Sequence, residues 1–329
     1  MSLKDRIDLI KKVEKYRESR LICYVTGDRQ PFATKIADDV IPIFERHLQK
    51  IGYIPKISLF LYTRGGDMLT PLRLVKLMRN YCQYFEVVVP YRAHSAGTLI
   101  ALGADNIAMG KVAELSPVDP TTAHPFNPKN PANPNLPLEI SVEDVNSYLL
   151  FAKEKAGVKD EQMSGIYSHL TTHVHPLAIG NVYRGYRMSK MLTERLLKIH
   201  MNAKNDAEKI KSIIDNLTGL ICIHHYPIMR DEVKELGLNI TELAGDEEKT
   251  VWQLYNNYAM EMKLENPYTP VEELGDLAEK DFSYYGAYIE SLNISDVFVH
   301  RGKLQKVQQP VPGQIGVNIN FQSQRWETV

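Results

Sequence analysis

The sequence predicts an α/β fold in which helices cover both faces of a parallel β-sheet. Apolar, β-branched runs recur in the first third of the chain, namely RLICYVTG, ISLFLYT and FEVVVPY, and segments with helical apolar spacing alternate with them. These runs are apolar throughout, which is typical of strands that are buried on both faces. The alternation therefore favours βαβ units and a parallel sheet.

The predicted elements follow in a regular order up to residue 118. The strand RLICYVTG precedes the helix PFATKIADDVIPIFERHLQKIG, and the strand ISLFLYT precedes the helix DMLTPLRLVKLMRNY, in which Pro71 fits the first turn. The strand FEVVVPY leads into the small-residue helix SAGTLIALGA. Two further short strands are predicted at NIAMG and AELSPV.

The character of the chain changes over residues 119–138, which are rich in proline and asparagine and predict a long ordered loop or a lid. Helices resume with ISVEDVNSYLLFAKEKAG, for which Ser141 is the expected N-cap. They continue through NVYRGYRMSKMLTERLLKIHM to RDEVKELG, which Gly237 ends. We assign residues 1–245 to one core domain.

Beyond Asp246 the regular alternation is lost. The segments VWQLYNNYAMEMKLE and LGDLAEKDFSYYGAYIESL are expected to be helical, and DVFVHRG, LQKVQQ and GQIGVNINFQ are expected to be short strands. We therefore expect residues 246–329 to form an α+β appendage that contacts the core, a neighbouring subunit or another partner.

Composition and charge argue against several classes of protein. The formal net charge of −1 gives no general attraction to nucleic acid or to acidic membranes. The three cysteines, Cys23, Cys82 and Cys222, form neither a CxxC pair nor a disulfide framework. No run approaches the roughly 20 apolar residues of a membrane helix, and the charged N-terminus lacks the apolar segment of a signal peptide. We expect a cytoplasmic protein without stable membrane insertion.

Two glycine-containing turns follow successive predicted strands, TRGGD after ISLFLYT and HSAGT after FEVVVPY. Both lie at the carboxyl ends of their strands, where α/β folds place their sites. The amides of Gly65, Gly66 and Ala96 are suited to an oxyanion hole, with Ser95 as the nucleophile. The alternative is that Ser95 only caps its helix, since serine is a favoured N-cap.

In combination, YTRGGD, AHSAGTLIALGAD, ELSPVDP and IHHYPIMRDEVKELGL resemble the serine dehydrogenase proteinase family, within the Clp protease and crotonase superfamily that also holds signal peptide peptidase A. The similarity covers Leu21 to about Leu238. It implies a Clp/crotonase-like spiral of βαβ units, serine peptidase activity on a peptide or protein substrate without a cofactor, and assembly into homo-oligomers. In this resemblance Ser95 matches the nucleophile, Gly65 and Gly66 match the oxyanion loop, and Ala96 supplies the other amide.

The base that would activate Ser95 stays open. The histidine of Clp-type subunits has no counterpart in AELSPVDP. Enzymes like signal peptide peptidase A use a lysine, which suggests Lys159 in KAGVKD, although an exposed lysine after a helix end is the simpler interpretation. His225 aligns roughly with the Clp-type acid, and His94 is expected to support the turn or line a pocket. Asp119 is either a turn residue or a supporting acid.

Other functions remain as alternatives. His169, His173 and His175 superficially resemble a metal cluster, but the glutamate of an HExxH motif is absent and we expect no metal. A crotonase-type enzyme acting on a coenzyme A thioester would use the same paired amides. A third possibility is a protein-binding or scaffolding member that has lost the base.

Overall fold

The computed structural model describes residues 3–118, 121–122, 125–130, 133–138, 140–221, 226–308 and 315–329. Its contacts divide the chain into two compact units. The first combines Met1–Leu115 with Met229–Val329, and the second is Ser116–Ile228. The predicted boundary between residues 245 and 246 falls inside the first unit and stays a prediction.

The helices of the described residues are α1 (Leu3–Arg17), α2 (Val40–Ile51), α3 (Thr70–Arg79), α4 (Ala96–Leu102), α5 (Val142–Glu154), α6 (Met163–His173), α7 (Pro176–Leu197), α8 (Ala207–Asp215), α9 (Arg230–Glu235), α10 (Gly245–Glu261) and α11 (Pro270–Leu274). The second unit also contains a 3₁₀ turn at Asp160–Gln162 and a π-helical turn at Asn216–Leu220. None of these helices has the length and apolar character needed to span a membrane.

The strands of the described residues are β1 (Arg20–Thr26), β2 (Ile54–Tyr62), β3 (Cys82–Val89), β4 (Arg92–Ala93), β5 (Asn106–Met109), β6 (Glu114–Leu115), β7 (Thr121–Thr122), β8 (Lys129–Asn130), β9 (Asn133–Pro137), β10 (Ile140–Ser141), β11 (Ile228–Met229), β12 (Ile240–Glu242), β13 (Glu279–Ser291), β14 (Ile294–Gln308) and β15 (Ile315–Thr328).

Eight strands form one mixed sheet in the first unit, in the order β12-β5-β3-β2-β1-β13-β14-β15. The strands from β12 to β1 are parallel to one another. The last three continue the sheet as an antiparallel meander that begins on β1. The predicted α/β fold is confirmed.

The central strand β1 shows why the parallel strands are apolar on both faces. Cys23 lies in the cluster that α1 and α10 form on one face, together with Val13 and Leu254. The next residue, Tyr24, is also fully buried, and its ring meets that of Phe44 in α2 edge to face at 5.4 Å. Because successive side chains of a strand point to opposite faces, burial on both faces requires an unbroken apolar run.

Three predictions about element type or extent were wrong. The segment 274–292 was expected to be helical, but residues Glu279–Ser291 form β13. Strand β14 pairs with it over most of its length and β1 pairs with residues 287–290, and this pairing overrides local helix propensity. The expected short strands DVFVHRG and LQKVQQ do not form separately, because residues 296–302 and 304–308 lie in the single strand β14. The helix expected from Pro31 begins only at Val40.

In the second unit the predicted helix cap is confirmed. The Ser141 hydroxyl accepts a hydrogen bond from the Asp144 N–H at 3.0 Å, and the Asp144 carboxylate accepts one from the Ser141 N–H at 3.0 Å. This reciprocal capping box fixes the start of α5. The described part of residues 119–138 includes short antiparallel pairs, and Asp119 lies outside the described residues.

Candidate active site

Two turns lie side by side at the carboxyl ends of the parallel strands. The first follows β2, and the second follows β3 and β4. Backbone hydrogen bonds join them, because the Thr63 N–H donates to the Arg92 carbonyl at 2.9 Å and the His94 N–H donates to the Thr63 carbonyl at 3.1 Å. The two glycine turns are therefore in direct contact.

Ser95 begins α4 in a strained conformation. Its φ of 52° and ψ of −108° lie in a region that residues with a Cβ rarely adopt, at a cost of about 1–3 kcal/mol. Although Ser95 occupies the N-cap position, its side chain makes no capping hydrogen bond to the helix. Capping by the hydroxyl therefore does not explain why a serine is held in this conformation.

The glycine pair of the first turn touches the serine turn. A Cβ added to Gly65 would lie 2.8 Å from the Ser95 Cβ and 3.3 Å from the Ser95 Oγ, so only glycine fits at this position. Gly66 packs against Ile36 just as closely, since an added Cβ would lie 2.2 Å from the Ile36 carbonyl oxygen. Both glycines have positive φ, of 105° and 154°. The first turn is thereby fixed between Ile36 and the nucleophile candidate.

The N–H groups of these glycines have different partners. The Gly65 N–H donates to the Thr63 hydroxyl at 3.0 Å. Within the part of the chain that the structure describes, no acceptor is found for the Gly66 N–H. The Ala96 N–H is the first of α4, and the first N–H groups of a helix have no acceptor within the helix. Gly66 and Ala96 are thus the two amides best able to bind an oxyanion.

The small residues of α4 also serve close packing. A Cβ added to Gly97 would lie 2.5 Å from the Thr63 methyl carbon, so the helix approaches the end of β2 too closely for a larger residue. The Thr98 hydroxyl donates to the Ala93 carbonyl at 2.9 Å. These contacts hold the helix start, and with it Ser95, against the strand ends.

His94 is buried beside Ser95 and faces an acid. Its Nε2 lies 3.0 Å from a Glu114 carboxylate oxygen, which also accepts from the Arg92 Nε at 3.1 Å. Burial lowers the pKa of His94 to about 4, because removal from water penalises the charged ring more than Glu114 stabilises it. His94 is consequently neutral at pH 7 and donates its Nε2 hydrogen to Glu114.

A second acid, Asp28, lies just after β1 and contacts an arginine next to each of the two turns. Asp28 accepts a hydrogen bond from the Arg64 Nε at 2.8 Å and lies 3.7 Å from the Arg92 Nη1. Arg64 directly precedes the glycine pair. Arg92 and His94 contact the same carboxylate oxygen of Glu114. Asp28 and Glu114 therefore connect the first turn to the second through paired charges.

The remaining predicted site residues lie in other parts of the chain. Lys159 is exposed in the second unit, where it precedes the 3₁₀ turn, and its role as a base stays a prediction. His225 and Asp119 lie outside the described residues, so their predicted roles also stay open.

The three histidines of the predicted cluster take separate positions in the second unit. The rings of His169 and His173 lie 5.0 Å apart on α6, and both residues are exposed. His175 instead begins α7, accepting a hydrogen bond from the Leu177 N–H at 3.2 Å and stacking on Phe126. In the described residues, no group of three or more histidine, cysteine, aspartate or glutamate side chains could hold a metal ion.

The part of the chain that carries both turns is similar to a known protein family. Residues 1–129 match the model of a family described as ClpP-like SDH-type serine proteinase. This confirms the resemblance inferred from the motifs for this part of the chain.

Two uncharacterized proteins of Methanocaldococcus jannaschii are similar to this chain. MJ0137 is 29% identical over 214 residues, which are 64% of this chain and 63% of that protein. MJ1495 is 26% identical over 269 residues, which are 78% of this chain and 77% of that protein. The alignment thus spans less than two thirds of the length of the first relative.

Two solved protease structures show a weaker likeness. A ClpP1 mutant from Listeria monocytogenes has 14% identity and a TM-score of 0.34, over 72% of this chain and 99% of that one. A mutant of the 1510-N membrane-bound stomatin-specific protease has 15% identity and a TM-score of 0.38, over 70% of this chain and 85% of that one. Scores this low do not bear on the fold of this chain.

Sequence reasoning did not single out Asp28, Thr63 or Glu114. Asp28 lies two residues after the end of β1, so the rule that drew attention to the other strand ends could have found it. Thr63 is the first residue after β2 and could have been found by the same rule. Glu114 carried no comparable signal, because its contact with His94 joins residues that are 20 positions apart.

Proposed function

We propose that this protein is a serine peptidase in which the Ser95 hydroxyl attacks the carbonyl carbon of a peptide bond. The observation that carries the proposal is the strained backbone of Ser95, held against Gly65 without a capping hydrogen bond. Strain of this kind lowers stability and is concentrated at functional sites. The family match over residues 1–129 supports the same chemistry.

The oxyanion hole of this proposal is formed by backbone amides. Of the three amides suggested by the sequence, those of Gly66 and Ala96 are assigned to the oxyanion, because the Gly65 N–H already donates to Thr63. Gly65 contributes by allowing the two turns to touch. Donors fixed before the reaction stabilise the developing charge without further reorganisation, and each is worth about 10²–10³ in rate.

The proposed reaction has two stages. As the Ser95 oxygen bonds to the carbonyl carbon, its proton passes to a general base and then to the departing amine, and the peptide C–N bond breaks. Water then attacks the acyl-enzyme and gives a proton to the base, the ester bond between the acyl carbon and the Ser95 oxygen breaks, and the base returns the proton to that oxygen. The carboxylic acid product leaves and Ser95 is regenerated. Lys159 and His225 remain the candidates for the base, and Asp119 is the candidate for a supporting acid.

His94 has a different part in this proposal. Its Nε2 is engaged by Glu114, and burial holds its pKa at about 4, far from the working range of a base at neutral pH. We assign His94 to supporting the serine turn, with Glu114 holding the ring in place.

A fluorophosphonate probe and a peptide library test the nucleophile. The parent protein is expected to be labelled and to cleave peptides, and Ser95→Ala is expected to lose both activities with its fold intact. Ser283→Ala, at an exposed serine of β13, is the matched control and should behave like the parent. Labelling that survives in Ser95→Ala would refute the assignment.

The same measurements separate the alternative functions. A parent protein that is inert toward both the probe and the peptides would favour a binding or scaffolding role. Turnover of a coenzyme A thioester that survives Ser95→Ala would favour crotonase-type chemistry. For the base, Lys159→Met and His225→Asn are compared, and removal of the true base should lower kcat by about 10²–10⁴.

A further inference from the structure

The last strand of the large sheet presents an open edge. Among the strands that the structure describes, β15 pairs only with β14, and it ends the sheet. The edge segment, which we define as residues 315–321 (IGVNINF), lies far beyond the family match at 1–129. Such an edge offers unpaired N–H and C=O groups to another strand.

One face of the edge segment belongs to an apolar cluster that stays partly open. Val317, Ile319 and Phe321 are half-buried and pack against a cluster that contains Phe32 and Phe282. The Phe321 ring lies 5.9 Å from that of Phe32 and 5.6 Å from that of Phe282. A further strand beside β15 would cover the exposed sides of these three residues.

The other face of the edge segment is polar and carries no charge. Asn318 and Asn320 are exposed, and the segment contains no proline, lysine or acidic residue. Proline and charged residues are the ones that usually keep an edge strand from pairing with another strand. The regular edge ends at Gln322, where the pairing with β14 shifts by one residue. Seven residues are therefore available for pairing.

We propose that the edge segments of two copies of this chain pair antiparallel, joining their sheets across a two-fold axis at Asn318. Val317 and Ile319 flank this position on the apolar face, so Val317 of one copy lies opposite Ile319 of the other. A two-fold interface must be complementary to itself. An uncharged segment meets this condition, because no like charges come together.

Mass measurement by light scattering or sedimentation equilibrium tests the interface, which is independent of the proposed function. The parent protein is expected to dimerise or to form assemblies of such dimers. Asn318→Lys should weaken the dimer by about fivefold, because the two added charges lie opposite each other at the axis. Asn318→Glu should do the same, and a mixture of the two variants should recover the affinity. A monomeric parent protein overturns the proposal.

A cysteine variant gives an independent readout. Opposite residues of antiparallel strands have Cα atoms about 4.5–5.5 Å apart, within the range of a disulfide, so Asn318→Cys should form a covalent dimer on mild oxidation. Ser283→Cys is the matched control, since Ser283 is exposed on β13, an interior strand of the sheet, where it lies opposite Arg301 of β14. Crosslinking of Asn318→Cys that is no faster than in the control or the parent overturns the proposal, with circular dichroism verifying the fold.

Discussion

Replacing Ser95 by glycine should stabilise the protein relative to replacing it by alanine. Both variants lose the hydroxyl, but alanine keeps the Cβ that makes φ of 52° and ψ of −108° unfavourable. The strain amounts to about 1–3 kcal/mol. Glycine costs about 0.5–1 kcal/mol through the greater freedom of the unfolded chain. The difference predicts a free energy of unfolding about 1 kcal/mol higher for Ser95→Gly than for Ser95→Ala.

Chemical denaturation of the two variants, followed by circular dichroism, measures this difference. It corresponds to a shift of about 2 °C in Tm for a chain of this size. Neither variant can react with the fluorophosphonate probe, so differences in activity do not enter the comparison. If Ser95→Gly is as stable as Ser95→Ala or less stable, the backbone of Ser95 is not strained and the argument for a stored functional conformation fails.

Three further predictions concern the surroundings of the site and the anchoring of α1. Gly65→Ala should slow probe labelling at least tenfold, because the new Cβ would lie 2.8 Å from the Ser95 Cβ. Gly52→Ala is the control: Gly52 has positive φ but open space around it, so this variant should lose about 1 kcal/mol of stability with labelling unchanged. Burial lowers the pKa of His94 to about 4, whereas in the unfolded chain this histidine binds a proton below about pH 6.5. Lowering the pH from 7 to 5 therefore stabilises the unfolded chain and should reduce the free energy of unfolding by about 2 kcal/mol through this group. Urea unfolding of His94→Gln should show a correspondingly smaller decline, and an equal one would contradict the burial argument. Arg6→Met should cost about 3–5 kcal/mol in denaturant titrations, because it leaves a buried glutamate without its bidentate partner, while Lys11→Met, on the exposed side of α1, should change little.

The parallel half of the fold could be predicted because its signals are local. Buried parallel strands need unbroken apolar runs, and the glycine turns at their ends are visible as short motifs. The region after residue 246 was harder to predict. Residues 279–291 include helix formers such as Glu279 and Lys280, and pairing with β14, and with β1 at residues 287–290, makes this segment a strand.

The sequence by itself determined the α/β class, the positions of Ser95, Gly65 and Gly66 at strand ends, and the cap of α5, because each depends on residues close together in the chain. The tertiary structure decided that Gly65 touches Ser95 and that the Gly65 N–H donates to the Thr63 hydroxyl. It also decided that Glu114 holds a neutral His94. These contacts join separate strands of the sheet. Their distances, burial and protonation follow from how the strands are paired, which local sequence patterns do not encode.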